Sequence, residues 1–373
     1  MKQAYEAPRL EVVQYSLHEA IAANCSNKVY NHTQEDCGLT ELGKSLQEDG
    51  YTFLSDNCGE NGAVGYCYFT SNNVTYSTNL YAPVPIGAAM YQKDYCFAGL
   101  GVRMLSDVPP VEDENTVAFR QTGEKINSTC RIACVQQLPQ VHGTQLMQTK
   151  ELRLFRSGDT LYQQLISPLD GHPLTVSVYD AAKQGEVSLY LSQADMPYIA
   201  RSVHLWAGMD INHQLLLHRR VVMHSASVRT EQGVILFAAP SGVGKSTQAK
   251  LWHAHRRAEI LNGDKNAVGI EQKTAMAYGL PFCGTSGICQ PYQLPLRAIV
   301  LLEQAQQNET TRLQGIEAVI RVLRNCMGHQ AVQEVTSMML EQIAALLETV
   351  PVYHLACTPD IRAVQALENA LGE

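Results

Sequence analysis

Residues Ala239 to Ser246 read Ala-Pro-Ser-Gly-Val-Gly-Lys-Ser and follow directly on the apolar run Gly233 to Ala238. A buried strand feeding a glycine-rich turn that opens a helix is the arrangement a phosphate-binding loop requires. The turn's backbone N–H groups point inward and, with the helix dipole, make a nest for polyphosphate. In such a loop Ser241, Gly242, Val243, Gly244, Lys245, Ser246 and Thr247 hold the nucleotide. Lys245 reaches its outer phosphates, and the Ser246 hydroxyl ligates Mg²⁺. Ala239 stands where the consensus has glycine, a departure that the backbone conformations open to alanine tolerate.

Three neighbours bear on what chemistry the loop would serve. Asp264, in Leu261-Asn-Gly-Asp-Lys265, follows a strand after the loop helix. A carboxylate there suits a Mg²⁺ ligand or a base for a phosphoryl acceptor; a plain turn aspartate is the alternative. His224 lies on the strand before the loop strand, either as a packed side chain or as a group that bonds phosphate or shares the acceptor's proton. Tyr278 to Gly287 is a glycine-punctuated, hydroxyl-bearing loop that either covers the acceptor or merely runs over the surface.

The elements that must position these residues alternate between strand and helix. Arg220 to Val228 and Gly233 to Ala238 read as two strands, and Lys245 to His255 as a helix. Strands follow at Glu259 to Leu261 and Ala298 to Leu302. Ile316 to Met327 and Val332 to Thr349 have helical spacing, Val350 to Leu355 reads as a strand, and a helix started by Pro359 runs to about Leu371. The order is mixed α/β. Residues 93–218 instead alternate short apolar runs with turns, among them Tyr95 to Leu105, Leu152 to Phe155, Leu174 to Tyr179 and Val187 to Leu191. They predict a β-rich subdomain with an antiparallel sheet, closed by a helix from Asp195 to Ala207.

The first 92 residues differ in character. They hold four basic and ten acidic side chains, so most of the chain's net charge of −8 lies there. Gly59 to Asn79 is rich in Gly, Asn, Ser, Thr and Tyr and reads as loop-like, and Tyr81 to Pro85 as an extended linker. The domain reading is therefore 1–85, 93–218 and a catalytic 219–373. The acidic balance argues against nucleic acid or an anionic membrane as partner. No apolar stretch is long enough to span a bilayer, and Met1 to Leu17 lacks the features of a secretory signal, which points to the cytoplasm. The 11 cysteines, with no zinc-site spacing, fit reduced thiols in that compartment.

From His224 through the Ala239–Ser246 loop to Gly263-Asp264, the chain resembles the catalytic domain of HPr serine kinase/phosphorylase. The resemblance is nearer to the HPr-kinase-related proteins of peptide natural-product gene clusters, within the phosphoenolpyruvate-carboxykinase-like group. It extends over 93–373 through Pro281-Phe-Cys-Gly-Thr285, the Leu296 to Leu302 strand with Glu303 and Asn308, and Val350-Pro-Val-Tyr353. It implies a mixed-sheet P-loop kinase core with ATP and Mg²⁺, with His224, Lys245 and Asp264 catalytic and Ser246 and Asp264 on the metal. The family carries two adjacent aspartates where this chain has Gly263-Asp264 or Asp264-Lys265, so Asp264 is left as metal ligand, base or both. Tyr5 to Ser16 and Ala20 to Cys25 resemble the leader of clostridial-type ribosomal peptide precursors, with 26–80 like a core peptide; an ordinary acidic extension is the alternative.

These readings lead to an ATP-dependent kinase that phosphorylates a Ser or Thr hydroxyl of a peptide or protein, its own N-terminal segment among the candidates. A small-molecule kinase and a nucleotide-gated peptide-binding module without catalysis are the alternatives. A homo-oligomer is left open.

Overall fold

The computed structural model describes residues 52–57, 66–71, 74–77 and 91–372, apart from 109–111, 113, 122, 124 and 200–201. Most of the segment read as precursor-like, and the Tyr81–Pro85 linker, lie outside these residues. The chain divides into two compact units, Met1–Ala82 and Pro83–Glu373.

In the first unit, β1 (Thr52–Asn57), β2 (Tyr66–Ser71) and β3 (Val74–Ser77) form an antiparallel sheet in that order. Composition had suggested a loop from Gly59 to Asn79. The Tyr, Phe, Val and Thr of Tyr66–Ser71 and Val74–Ser77 are strand formers, and the two segments pair with each other despite the polar composition of the stretch.

The second unit holds two sheets. In the first, β4 (Tyr91–Phe97), β5 (Leu100–Ser106), β6 (Ser128–Val135), β7 (Thr144–Gln148), β8 (Leu152–Ser157), β9 (Thr160–Leu165), β10 (Thr175–Asp180) and β11 (Glu186–Ser192) lie in the order β4-β5-β6-β11-β10-β9-β8-β7. The apolar run Tyr95 to Leu105 is a hairpin, because Ala98 and Gly99 both take positive φ between β4 and β5. The antiparallel expectation needs correcting. β6 pairs in parallel with both β5 and β11. The β5–β6 link runs through a short helix, α1 (Glu114–Val117), and the β7–β10 meander intervenes before β11, so neither parallel pair is joined by a tight turn.

The single helix expected at Asp195 to Ala207 is instead α2 (Met196–Ile199) and α3 (Ser202–Gly208), followed by α4 (Ile211–Leu217). Trp206 anchors α3. Its fully buried ring meets Tyr95 and Phe97 edge-on at 4.7 and 4.9 Å.

The second sheet contains β12 (Val221–Thr230), β13 (Gly233–Ala238), β14 (Glu259–Asn262), β15 (Lys265–Glu271), β16 (Thr274–Gly279), β17 (Gln293–Gln304), β18 (Glu309–Leu313), β19 (Cys326–Met327) and β20 (Val352–Cys357). Two long strands each serve two neighbourhoods. Val221–His224 of β12 pairs with β15, and its second half pairs with β13 and β14. The start of β17 pairs with β16, and its second half runs parallel to β13 and β20. The ladders β12–β15–β16–β17–β13–β12 thereby close on themselves as a small barrel. On the parallel part lie α5 (Lys245–Arg256) and a C-terminal helix. That helix follows α6 (Gly315–Leu323) and α7 (Gln333–Leu347) and is numbered α8 (Ile361–Leu371). Trp252 of α5 and Val364 and Leu367 of α8 pack on Phe237, Val300 and Leu355, all essentially without solvent contact. Residues read as a helix to Met327 end one turn early, and Cys326–Met327 pairs with β12. Among the described residues no helix is long and apolar enough to cross a membrane.

Candidate functional site

Ser225 is where the site comes together. On one side it pairs with Ala238, the last residue of β13 before the glycine turn. On the other its N–H donates to the Asp264 carbonyl at 2.9 Å. Strand spacing alone therefore sets the turn and Asp264 about 10 Å apart across β12. The two segments are separated by α5 in sequence and are brought together by this row of pairings.

The turn has the backbone that its glycines permit. Gly242 and Gly244 take φ of 83° and 123°, and nothing lies within 4 Å of where a Cβ would stand on either. Lys245 opens α5, whose cap Gly244 offers no side-chain acceptor. The first amides of a 12-residue helix thus face the turn without a cap. The Lys245 side chain folds back, its ammonium donating to the carbonyls of Ala239 (2.9 Å) and Pro240 (3.2 Å). Burial lowers its pKa, while nearby Asp264 works in the opposite sense. Ser241 and Thr247 are exposed, and Val243, Gly244 and Ser246 are half-buried, so the cradle is open to solvent. Gln304, at the end of β17, donates to the carbonyls of Gly242 (3.2 Å) and Val243 (3.3 Å) and ties the turn to the sheet.

Asp264 sits in a turn built by a residue that the sequence reading passed over. Asn262 is fully buried, and its Oδ1 accepts from the Asp264 N–H at 2.8 Å and the Lys265 N–H at 3.3 Å. Its Nδ2 donates to the Leu280 carbonyl at 2.8 Å, which binds the turn to the following loop. The dipeptide Asn262-Gly263 is the signal that could have found it, since asparagine commonly closes a turn on the backbone two residues ahead. Gly263 is required by close approach: a Cβ there would stand 2.0 Å from Ser286 Oγ. The Pro281 to Ile288 loop does lie against Asp264, for a Cβ on Gly284 would come within 2.9 Å of the Asp264 Cβ.

His224 Nε2 lies 3.3 Å from Asp264 Oδ1, with 29% and 25% of the two side chains exposed, enough for a ligand to touch both. The His224 N–H donates to the Asn325 carbonyl at 2.9 Å, next to β19. Burial works to raise the Asp264 pKa, but the His224 hydrogen bond and the charges of Lys265 and Lys245 outweigh it, and the carboxyl lies below its usual range. Lys265 pairs with His224 across the strands, so both project from one face. Its ammonium sits 4.3 Å from the centre of the Phe282 ring, and burial lowers its pKa.

His224, Lys245 and Asp264 are thus neighbours, and Ser246 stands one residue from Lys245 at the rim. Among the described residues no three His, Cys, Asp or Glu side chains cluster as a metal site. Ser246 and Asp264 would supply one hydroxyl and one carboxylate, hard oxygen donors of the kind that hold Mg²⁺ when phosphate and water complete the shell. The reading of all cysteines as reduced thiols needs correction: Cys283 and Cys289 form a disulfide across the loop. The Cα atoms of Cys283 and Cys289 are 4.9 Å apart, and Cys289 also forms an isolated bridge with Asn262.

A cleft of about 580 Å³ adjoins the glycine turn, lined by Gly242 to Gly244, Gln248, Gln304 and Thr358 among others. It opens at the carboxyl ends of the parallel strands β13, β17 and β20, the edge at which open α/β sheets bind ligands. A larger hollow of about 930 Å³ lies at the opposite end of β13, near Arg229, Arg256 and Glu259. Its Arg229 and Arg256 are held by Glu259 and Glu368, and none of the candidate residues reaches it.

No family model matches the chain. No curated protein matches it either. Among solved structures, the Hpr(Ser) kinase/phosphatase from Coxiella burnetii matches at 9% identity over 40% of this chain and 87% of that chain, with a TM-score of 0.23.

Proposed function

We propose that this protein is an ATP-dependent kinase that phosphorylates a serine or threonine hydroxyl of a peptide or protein. One observation carries the reading. The register at Ser225 sets a glycine turn with an uncapped helix start beside a His224–Asp264 pair that retains access to solvent. A triphosphate needs amide donors and a cation, which the turn and Lys245 supply. The acceptor needs a proton sink, which the pair supplies. The HPr-kinase-like motifs in the sequence agree with this assignment of roles.

In this reading the turn amides and Lys245 hold the outer phosphates, and the Lys245 ammonium exchanges its two carbonyl partners for phosphate oxygens. Ser246 and Asp264 would hold Mg²⁺, whose charge would offset that of the transferring group. Asp264, ionised at neutral pH, orients His224, and the pair takes the proton of the attacking hydroxyl. The new bond runs from the acceptor oxygen to the γ-phosphorus as the bond to the β-phosphate bridging oxygen breaks, so ADP leaves with the displaced electron pair. The Pro281 to Ile288 loop, packed on the Gly263–Asp264 turn, forms the wall on the acceptor side. The Ser- and Thr-rich tract 26–80 of the same chain is one candidate acceptor, and a homo-oligomer is compatible with the scheme.

Intact-mass analysis after incubation with Mg²⁺-ATP tests the proposal, first on the chain alone and then with added Ser- and Thr-containing peptides. The expected result is a gain of one phosphate group on chain or peptide that is lost in Lys245→Ala and Asp264→Asn. Nucleotide binding with no product on any acceptor would reduce the protein to a nucleotide-gated binding module. Label found only in a small metabolite would replace the peptide acceptor.

A further inference from the structure

Gln248 lies three residues after Lys245 on α5, on the same face, and it is 98% buried. Its Nε2 donates to Cys357 Sγ at 3.3 Å, but its Oε1 has no hydrogen-bond partner. A buried amide oxygen left unpaired costs about 1–3 kcal/mol, so its persistence beside a cavity calls for an explanation. Gln248 lines the 580 Å³ cleft that begins at Gly242 and runs to Thr358.

The chemistry of that cleft is uniform. Gln304, Gln306 and Thr358 contribute neutral amides and a hydroxyl, Leu302 and Pro359 contribute apolar walls, and no charged side chain lines it. Such a lining suits a neutral, flat, hydrogen-bonding group joined to an anion on the glycine turn. The volume exceeds what a triphosphate alone needs, since the turn itself takes the phosphates. Cys357, at the end of β20, and Thr358 also line the cleft.

We infer that the cleft between the ends of β17 and β20 is the nucleoside subsite of the phosphate-binding turn, with Gln248 Oε1 accepting a hydrogen bond from the nucleoside. The inference rests on the nucleotide reading above and goes beyond it by assigning where the neutral half of the ligand is recognised and by which atom. The donor is an exocyclic amine of the base or a ribose hydroxyl.

Titration calorimetry with ATP and with inorganic tripolyphosphate, both without turnover, separates the two claims. Three variants accompany the native protein: Lys245→Ala, Gln248→Met, which keeps the volume and removes the acceptor, and Ala305→Phe, which fills the cleft. The native protein is expected to bind ATP at least tenfold more tightly than tripolyphosphate. Gln248→Met is expected to weaken ATP about 5–30-fold and leave tripolyphosphate within twofold. Ala305→Phe is expected to erase the preference for ATP while the turn still takes tripolyphosphate. Purine riboside triphosphate, lacking the exocyclic amine, and 2′-deoxy- and 3′-deoxy-ATP then report which donor Gln248 meets; the matching analogue binds Gln248→Met and the native protein equally. If tripolyphosphate binds through Lys245 but both cleft variants keep the full preference for ATP, the subsite is overturned and the turn stands. If neither ligand binds, or Lys245→Ala changes nothing, the nucleotide reading itself falls.

Discussion

The pair formed by Asp210 and His329 offers the sharpest test of how this fold is held together. Asp210 sits between α3 and α4 with φ of 50°, a left-handed conformation unusual outside glycine. It caps α4 by accepting from the His213 N–H, and its Oδ2 accepts from Tyr179 Oη at 2.7 Å and lies 2.7 Å from His329 Nε2. Both residues are more than nine-tenths buried. The same imidazole nitrogen lies 2.9 Å from Gln163 Oε1 of β9. The pair therefore joins the first sheet to the segment after β19, two residues beyond the strand whose neighbour Asn325 accepts the His224 N–H. His329→Ala leaves a buried carboxylate with a tyrosine hydroxyl, a backbone amide and the nearby His213 imidazole, which burial keeps from charging readily. Loss of one partner from such a pair costs about 3–5 kcal/mol, which for a unit of this size lowers the midpoint of thermal unfolding by roughly 6–20 °C.

The pH dependence follows from the directions of the two shifts. Burial disfavours charged His329, but the Asp210 carboxylate outweighs it and raises its pKa. Burial would raise Asp210, but His329 outweighs it and lowers its pKa. The histidine's contribution is complete below its unfolded value, about 6.5, and is lost as pH rises through its higher folded value. The aspartate's contribution is complete above about 3.9 and is lost as pH falls through its lower folded value. The pair is therefore worth most between about pH 4 and 6.5. Scanning calorimetry from pH 5 to 9 should show the native protein losing stability above neutrality and His329→Ala losing correspondingly less. A drop below 2 °C on substitution, or an unchanged slope above pH 6.5 in the variant, refutes this account.

Three further outcomes follow from the same coordinates. Gly263→Ala should destabilise the Asp264 turn and depress phosphoryl transfer, and Ser286→Gly should restore much of both, because Ser286 Oγ and Cβ occupy the space the new methyl needs; urea midpoints and initial rates read the rescue. Trp252→Ala should cost about 3–5 kcal/mol in chemical denaturation, since its ring is buried among Phe237, α8 and the parallel strands. Asp264→Asn should lower product formation about 10²–10⁴-fold while tripolyphosphate binding without Mg²⁺ stays within a few-fold, and equal losses in both would assign Asp264 to folding instead.

Where the structure and the sequence agree, the signal is local. Gly233–Ala238 followed by Lys245–Arg256 is legible because an apolar run, the Gly242 and Gly244 pair and a lysine fall within fourteen residues and need no distant partner. Ala298 to Leu302, buried on both faces, reads as a strand for the same reason. The hairpin Lys265–Gly279 was missed: apart from Val268 and Tyr278 its buried positions include Asn266 and the small residues Ala267, Gly269, Ala275 and Ala277, whose strand conformation comes from the pairing itself. Residues 316–327 carry a helical period to the end, yet Cys326–Met327 leave the helix because β12 offers an open edge there.

By itself, then, the order of residues determined the glycine turn, its helix, the placing of Lys245 at the helix start and of Asp264 after a strand, and the α/β alternation after residue 219. Only tertiary structure decided that His224 and Asp264 touch, that Asn262 holds the aspartate's turn, and that Gln248 faces a cleft. The reason is physical. Turn chemistry and hydrophobic period are set by neighbours within one helical turn or one strand. The meeting of the turn with Asp264 depends instead on the register of β12 against two other strands at Ser225, which no stretch of consecutive residues encodes.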